Sequence, residues 1–248
     1  MRLPWPESRG PGVSGAAGTP AAEAGQGVLP AKTCRVCGSG RCRPYASLDG
    51  KDYWRCAACA AVFLDRADLP TPEAERAHYL LHENDPDDPA YRRFLARLGD
   101  PLAARLSAGS RGLDYGCGPG PGLAAMLRER GHTIVLYDPF FAPDRSVLTG
   151  TYDFIVCSEV AEHFHEPAHE FARLDALLKP GGWLGLMTCF RTDDSRFAGW
   201  HYRRDPTHVV FYAEETMRHL AAIRGWSCEI PRKDVALMRK PLPAREGA

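Results

Sequence analysis

The stretch Leu113-Asp-Tyr-Gly-Cys-Gly-Pro-Gly-Pro-Gly122 constrains this chain more than any other part of it. An apolar residue and Asp114 lead into four alternating glycines, Gly116, Gly118, Gly120 and Gly122, and these pass into Leu123-Ala-Ala-Met-Leu-Arg-Glu-Arg130, a run of good helix formers. The order reads as strand, tight turn, helix. Glycine lets the backbone take positive φ and approach a ligand closely, and the helix start offers free N–H groups to an anion. A bound nucleoside or carboxylate suits such a turn; an ordinary surface turn is the plain alternative.

The dinucleotide fingerprint G-x-G-x-x-G/A is met only late, by Gly120, Gly122 and Ala125. D-x-G-x-G-x-G is met at once, by Asp114, Gly116, Gly118 and Gly120. Further segments follow in order. His132-Thr-Ile-Val-Leu-Tyr137 is a β-type run ending in Asp138, and Tyr152-Asp-Phe-Ile-Val-Cys157 is an apolar strand followed by Ser158-Glu-Val-Ala-Glu-His163. A helix, Leu177-Leu-Lys-Pro-Gly-Gly182 and a strand from Trp183 to Met187 complete the series. Together these segments resemble motif I and the second, fourth and fifth strand motifs of the class I S-adenosylmethionine-dependent methyltransferases, over roughly residues 90 to 240.

The resemblance implies an α/β fold, a Rossmann-like and mostly parallel sheet with an antiparallel last strand, and S-adenosylmethionine as cofactor. It implies that Asp114, Gly116 and Gly118, with Cys117 and Gly120 in the same turn, line the methionine end. Asp138 would meet the ribose hydroxyls, with Pro139 and Phe140 after it, and Ser158, Glu159 and Val160 would floor the sulfonium. Only fourteen residues separate Asp138 from Asp153, too few for the helix, strand and helix usual there in this family. Pro139, Phe140, Phe141 and Pro143 disfavour a helix, and Val147-Leu148 is at most a stub of strand. The third-strand acid that would contact adenine has no place, and Phe140 or Phe141 is expected to pack on the ring.

Ahead of this domain, Cys34-Arg-Val-Cys37 and Cys56-Ala-Ala-Cys59 are separated by eighteen residues, inside the spacing of a zinc ribbon whose two knuckles give four thiolates to one ion. A redox C-x-x-C is the rival reading, but that motif usually stands alone at a helix start. Four thiolates leave no open position, so this zinc is expected to be structural. Cys42 falls outside the pattern. The expected division is a Gly/Pro/Ala-rich disordered tail over 1–31, the ribbon-like module over 32–66, connecting helices over 67–108, the methyltransferase domain over 109–240 and a tail over 241–248. Tyr79, His82 and Asn84 in the connecting segment are placed to border the cofactor.

After the fifth strand, residues 190–212 are long, aromatic and charged for a connection, and loops at the carboxyl ends of parallel strands are where such sheets bind ligands. Trp200, Tyr202 and Tyr212 are candidate stacking walls for the acceptor. His208 is a candidate base oriented by Asp205, with a loop-anchoring role as its alternative; His163 and Glu162 are the other candidates, His163 having a structural alternative in which its ring bonds to backbone.

Lys plus Arg and Asp plus Glu both number 31, so there is no basic excess of the kind a phosphate-tracking protein shows. No apolar run is long enough for a membrane span and the amino terminus lacks a signal core, so a cytoplasmic enzyme is expected. Methyl transfer to an oxygen, nitrogen or carbon nucleophile of a small molecule is the leading reading. An RNA nucleobase methyltransferase using ribbon arginines (Arg35, Arg41, Arg43, Arg55), and a non-catalytic cofactor-binding scaffold, are the alternatives.

Overall fold

A computed structural model describes residues 32–81 and 84–243. The run Tyr152-Asp-Phe-Ile-Val-Cys-Ser is almost continuously apolar, the pattern of a strand covered on both faces. It forms β6 (Tyr152–Ser158) at the centre of a six-stranded sheet of order β5-β4-β6-β7-β10-β9. Its parallel neighbours are β4 (Arg111–Tyr115) and β7 (Leu178–Met187), and β5 (Thr133–Tyr137) lies parallel beyond β4. The last strand in sequence, β10 (Val235–Arg239), runs antiparallel to β7 and to β9 (Ser227–Arg232). This is the expected Rossmann-like class.

Helices cover both faces. On one side α2 (Pro89–Ala103) and α3 (Gly122–Glu129) bury Leu95, Leu98, Leu102, Leu123 and Leu127 against Phe154 and Val156. Asp88 caps α2, accepting from Ala90 N–H at 2.6 Å, and Pro89 sits where its missing N–H costs nothing. On the other side α4 (Pro167–Leu177) and α5 (Glu214–Ala222) bury Phe171, Leu174, Met217 and Leu220.

Between β5 and β6 the described chain holds only an Asp138–Ala142 bridge and a short 3₁₀ turn over Arg145–Thr149. No third strand forms, as the residue count anticipates, and β5 is left as the sheet edge.

The cysteine-bearing segment builds an antiparallel sheet from β1 (Cys42–Leu48), β2 (Lys51–Cys56) and β3 (Val62–Leu64). Its fourth strand comes from the far end of the chain. β8 (Val210–Phe211), in the loop after β7, pairs with β3, matching Val62 to Phe211 and Phe63 to Val210. Arg35 reinforces the junction: buried, it donates to Leu64 O at 3.0 Å, His165 O at 2.8 Å and Val209 O at 3.3 Å. Hydrogen bonds therefore run across the boundary drawn at residue 66. α1 (Pro72–Tyr79), capped by the Thr71 hydroxyl, connects the two sheets. The expected amino-terminal tail lies outside the described residues, as does His82. Among the described residues no helix is long and apolar enough to cross a membrane.

Candidate active site

The turn after β4 hooks onto the end of β5: Gly116 and Cys117 N–H donate to Tyr137 O at 2.7 and 3.2 Å. Gly116 has φ +81°, and a Cβ there would lie 2.5 Å from both methyls of Val160. Asp138 locks the turn. One carboxylate oxygen accepts from Gly118 N–H at 3.0 Å and the other from Phe140 and Phe141 N–H at 2.8 and 3.1 Å. Beside the turn opens a cavity of about 620 Å³, lined by Gly116, Cys117, Gly118, Asp138, Pro139, Phe140, Phe141, Ser158, Glu159 and Val160. Tyr79 and Asn84 border it, with Tyr79 against Phe140 at 5.6 Å between ring centroids.

Asp114, near the end of β4, and Gly120, in the turn, are not part of the cavity wall. A Cβ on Gly120 would meet Asn84 O at 1.9 Å, so this glycine admits the segment that lies over the turn. Asp114 is buried beneath, where burial raises its carboxyl to about 7 despite the Arg128 charge nearby. A carboxyl raised in the folded state favours folding in its neutral form, so its contribution falls as pH climbs from the ordinary carboxylate range to about 7. Asp114→Asn is accordingly expected to gain melting temperature relative to wild type between about pH 4 and pH 7, with a ceiling of ~4 kcal/mol, and to level off above. Thermal denaturation across that range checks it; a difference independent of pH would contradict it.

At the end of β6 the backbone turns sharply, with Glu159 at φ +53°, a conformation that costs a non-glycine residue of order 1–3 kcal/mol and gathers at functional sites. Glu162 and His163 follow in a 3₁₀ turn. The 190–212 loop folds over them, bringing Tyr202, Asp205 and His208 to the same cavity. The Tyr202 hydroxyl lies 2.5 Å from Glu162 Oε1, 3.0 Å from Thr188 Oγ1 and 3.4 Å from Glu159. Burial pushes the Glu162 carboxyl up to about 7, outweighing that hydroxyl, and holds Glu159 well above its ordinary range.

The two imidazoles are oriented alike. His163 Nδ1–H donates to Thr207 O at 3.0 Å and His208 Nδ1–H to Tyr202 O at 2.7 Å, so in the neutral rings Nε2 has the lone pair. Burial, then the adjacent His208, pushes His163 down to about 3, which keeps it neutral. Asp205 Oδ2 lies 3.9 Å from His208 Nε2 and 3.1 Å from His78 Nε2. Burial would raise Asp205, but His208 and the Thr207 hydroxyl and amide bring it to about 2.

Trp200 and Tyr212, read from the sequence as acceptor walls, line no part of this cavity. Tyr212 is fully buried and donates to Ala161 O at 2.9 Å; Trp200 packs on Tyr202 and Phe211 where the loop meets the cysteine-bearing sheet. Their apolar surface is used in that junction. The cavity also has walls that sequence reasoning missed: Glu75, held by His165 at 2.8 Å, and Tyr115, joined with Glu170 and Arg173; His78 stands behind the wall, bonded to Asp205. The spacing of Glu170 and Arg173 on one helical face was the available signal for the last group.

Away from the cavity, Cys34, Cys37, Cys56 and Cys59 converge, every sulfur within 4.8 Å of the others. The pairs Cys34–Cys59 and Cys37–Cys56 are each 3.7 Å apart, against the ~3.8 Å that separates sulfurs on a tetrahedron with metal–sulfur bonds of ~2.3 Å. Cys42 stands outside the quartet.

A parallel α/β sheet with a glycine turn after its first strand, an acid closing its second and a cavity at their carboxyl ends defines the class I methyltransferase architecture. Residues 88–229 match the family described as methyltransferase domain, which is more than half the chain, and the chain belongs to that family. Curated relatives include the ubiquinone biosynthesis O-methyltransferases of Burkholderia multivorans and Burkholderia ambifaria. The first is 33% identical over 108 residues, 34% of this chain and 46% of the relative; the second is 30% identical over 142 residues, 48% and 61%. The chain thus spans about half the length of the relatives it matches. Similar solved structures include the Burkholderia thailandensis 1,6-didemethyltoxoflavin-N1-methyltransferase, 18% identical with TM-score 0.45 over 80% of this chain and 99% of that one. Human N-acetylserotonin methyltransferase is 16% identical with TM-score 0.48 over 70% and 60%.

Proposed function

We propose that this chain transfers a methyl group from S-adenosylmethionine to an oxygen, nitrogen or carbon nucleophile of a small-molecule acceptor, and that the cysteine quartet holds a structural zinc ion. The observation that carries the reading is that the Gly116 turn and the Glu162–His163–His208 group open onto one cavity. The cofactor, when bound, supplies an electrophilic methyl group whose transfer leaves the bonding electron pair on sulfur. The chain's part is to hold both reactants in line, a contribution of about 7–11 kcal/mol when well made. Gly116 and Gly118 admit the methionine end, Asp138 has about one acceptor position left for a ribose hydroxyl, and Phe140 and Phe141 serve the adenine. Tyr202, Asp205 and His208 face the acceptor, and a nucleophile that starts with a proton loses it at the Glu162–His163–His208 group.

The Burkholderia relatives are named as O-methyltransferases of ubiquinone biosynthesis, which favours an oxygen acceptor. Of the four ribbon arginines offered to RNA, Arg35 is buried in the sheet junction and Arg55 is paired at the surface with Asp194, which favours the small-molecule reading. A cytoplasmic setting, where paired thiols stay reduced for zinc, belongs to the same proposal.

Incubation with methyl-labelled cofactor and a cell extract divided into metabolite, protein and RNA fractions tests it. Label is expected in the metabolite fraction, with turnover reduced ~10²- to 10⁴-fold in His208→Ala and cofactor affinity retained. Label in RNA alone sinks the small-molecule reading.

A further inference from the structure

We propose that Glu162, His163 and His208 form a second metal site, taking a divalent ion of the zinc, cobalt or iron kind on the acceptor side of the cavity. One donor atom from each of the three lies within 4.8 Å of the others, and His163 Nε2 is 4.0 Å from Glu162 Oε1. Ligands on a common ion at bonds of ~2.0–2.2 Å sit ~3.4 Å apart at tetrahedral angles, so closure draws the donor atoms inward, by about 0.6 Å for the His163–Glu162 pair.

Three features beyond proximity point to an ion. Both imidazoles spend their Nδ1–H on backbone carbonyls, Thr207 O and Tyr202 O, which fixes the tautomer that presents Nε2 as a ligand; metal-bound histidines are nearly always held this way. Glu162 is fully buried, yet its Oε2 has no hydrogen-bond partner, and the residue lies on the cavity wall. Among the described residues no lysine or arginine forms an ion pair with it, whereas a buried carboxylate calls for a cation or a proton. Two imidazoles and one carboxylate are the donor set of open zinc and non-haem iron sites, and leave positions for an acceptor.

The inference rests on the methyl-transfer reading and narrows it: the acceptor is an oxygen acid, a phenol or vicinal diol, drawn to the ion through oxygen. Its hydroxyl is acidified by the cation, and its proton is released to water at the cavity mouth rather than kept on an imidazole. The methyl carbon then leaves sulfur, which retains the bonding pair, and bonds to that oxygen.

Cobalt(II) is the probe, added to the chain of residues 1–248 with zinc already in the cysteine quartet and with neither cofactor nor acceptor present. One equivalent is expected to bind with visible d–d bands and without the thiolate-to-cobalt charge transfer that cysteine ligation produces. Affinity is expected to fall at least ~10²-fold in Glu162→Gln and in His208→Gln, and to persist in Tyr202→Phe, which keeps all three donors. Wild-type protein that gives no such bands, bands accompanied only by thiolate charge transfer, or binding unchanged in folded Glu162→Gln and His208→Gln overturns the site. The wild-type spectrum decides even where a variant fails to fold. Calorimetry with S-adenosylmethionine on the same preparation separates the two readings: cofactor binding without cobalt binding removes the ion and leaves methyl transfer standing.

Discussion

Cys56→Ser is expected to yield no stably folded protein, and a strong chelator is expected to unfold the wild type. Structural zinc binding contributes ~10–16 kcal/mol of apparent free energy to small zinc domains, while whole domains are stable by ~5–15 kcal/mol. An ordinary appended module would confine the damage to itself. Here β3 is paired to β8 and Arg35 is bonded to Leu64, Val209 and His165, so loss of the knuckles exposes the loop that holds Tyr202 and His208. Circular dichroism with zinc quantified in the same sample checks it. A Cys56→Ser protein that melts within a few degrees of wild type would show that the quartet holds nothing the fold depends on.

Gly116→Ala should nearly abolish cofactor binding while leaving the sheet intact. Its φ of +81° costs an L-residue ~1–2 kcal/mol, and the new methyl would stand 2.5 Å from both Val160 methyls, with Val160 itself on the cavity wall. Relief requires the turn to shift by around an ångström, a displacement that can cost ~10²-fold in a positioned reaction. Gly118→Ala is the internal comparison. Its φ is also positive, +62°, but nothing lies within 4 Å of the added methyl, so the expected loss is only ~10-fold, from backbone strain alone. Calorimetric titration of both variants checks the contrast, and equal losses would mean that the clash with Val160 is absorbed.

The sheet and its glycine turn were legible because they are local: β5 and β6 are largely apolar runs ended by Asp138 and Glu159, β4 runs straight into the glycines at Gly116, and the motif spacing survives without knowledge of contacts. Even the missing third strand could be read, by counting residues between Asp138 and Asp153. The 190–212 loop was legible only as a place. Its aromatic residues alternate without a fixed period, and an aromatic ring serves equally to pack a core or to stack a ligand, so nothing local told Tyr202, which faces the cavity, from Tyr212, which does not. The His78–Asp205 contact joins residues 127 positions apart, and β8 is two residues long, too short for any periodicity to declare.

The pairing of β3 with β8 also sets a timetable. On a ribosome Val62–Leu64 emerges long before Val210–Phe211, so for most of synthesis β3 presents an unpaired apolar edge to whatever is near. Early capture of metal by the cysteines would hold that edge in shape but cannot cover it. A nascent chain stalled before residue 210 should therefore be sticky and attract holding chaperones, and release should come only when the 190–212 loop arrives to close the seam.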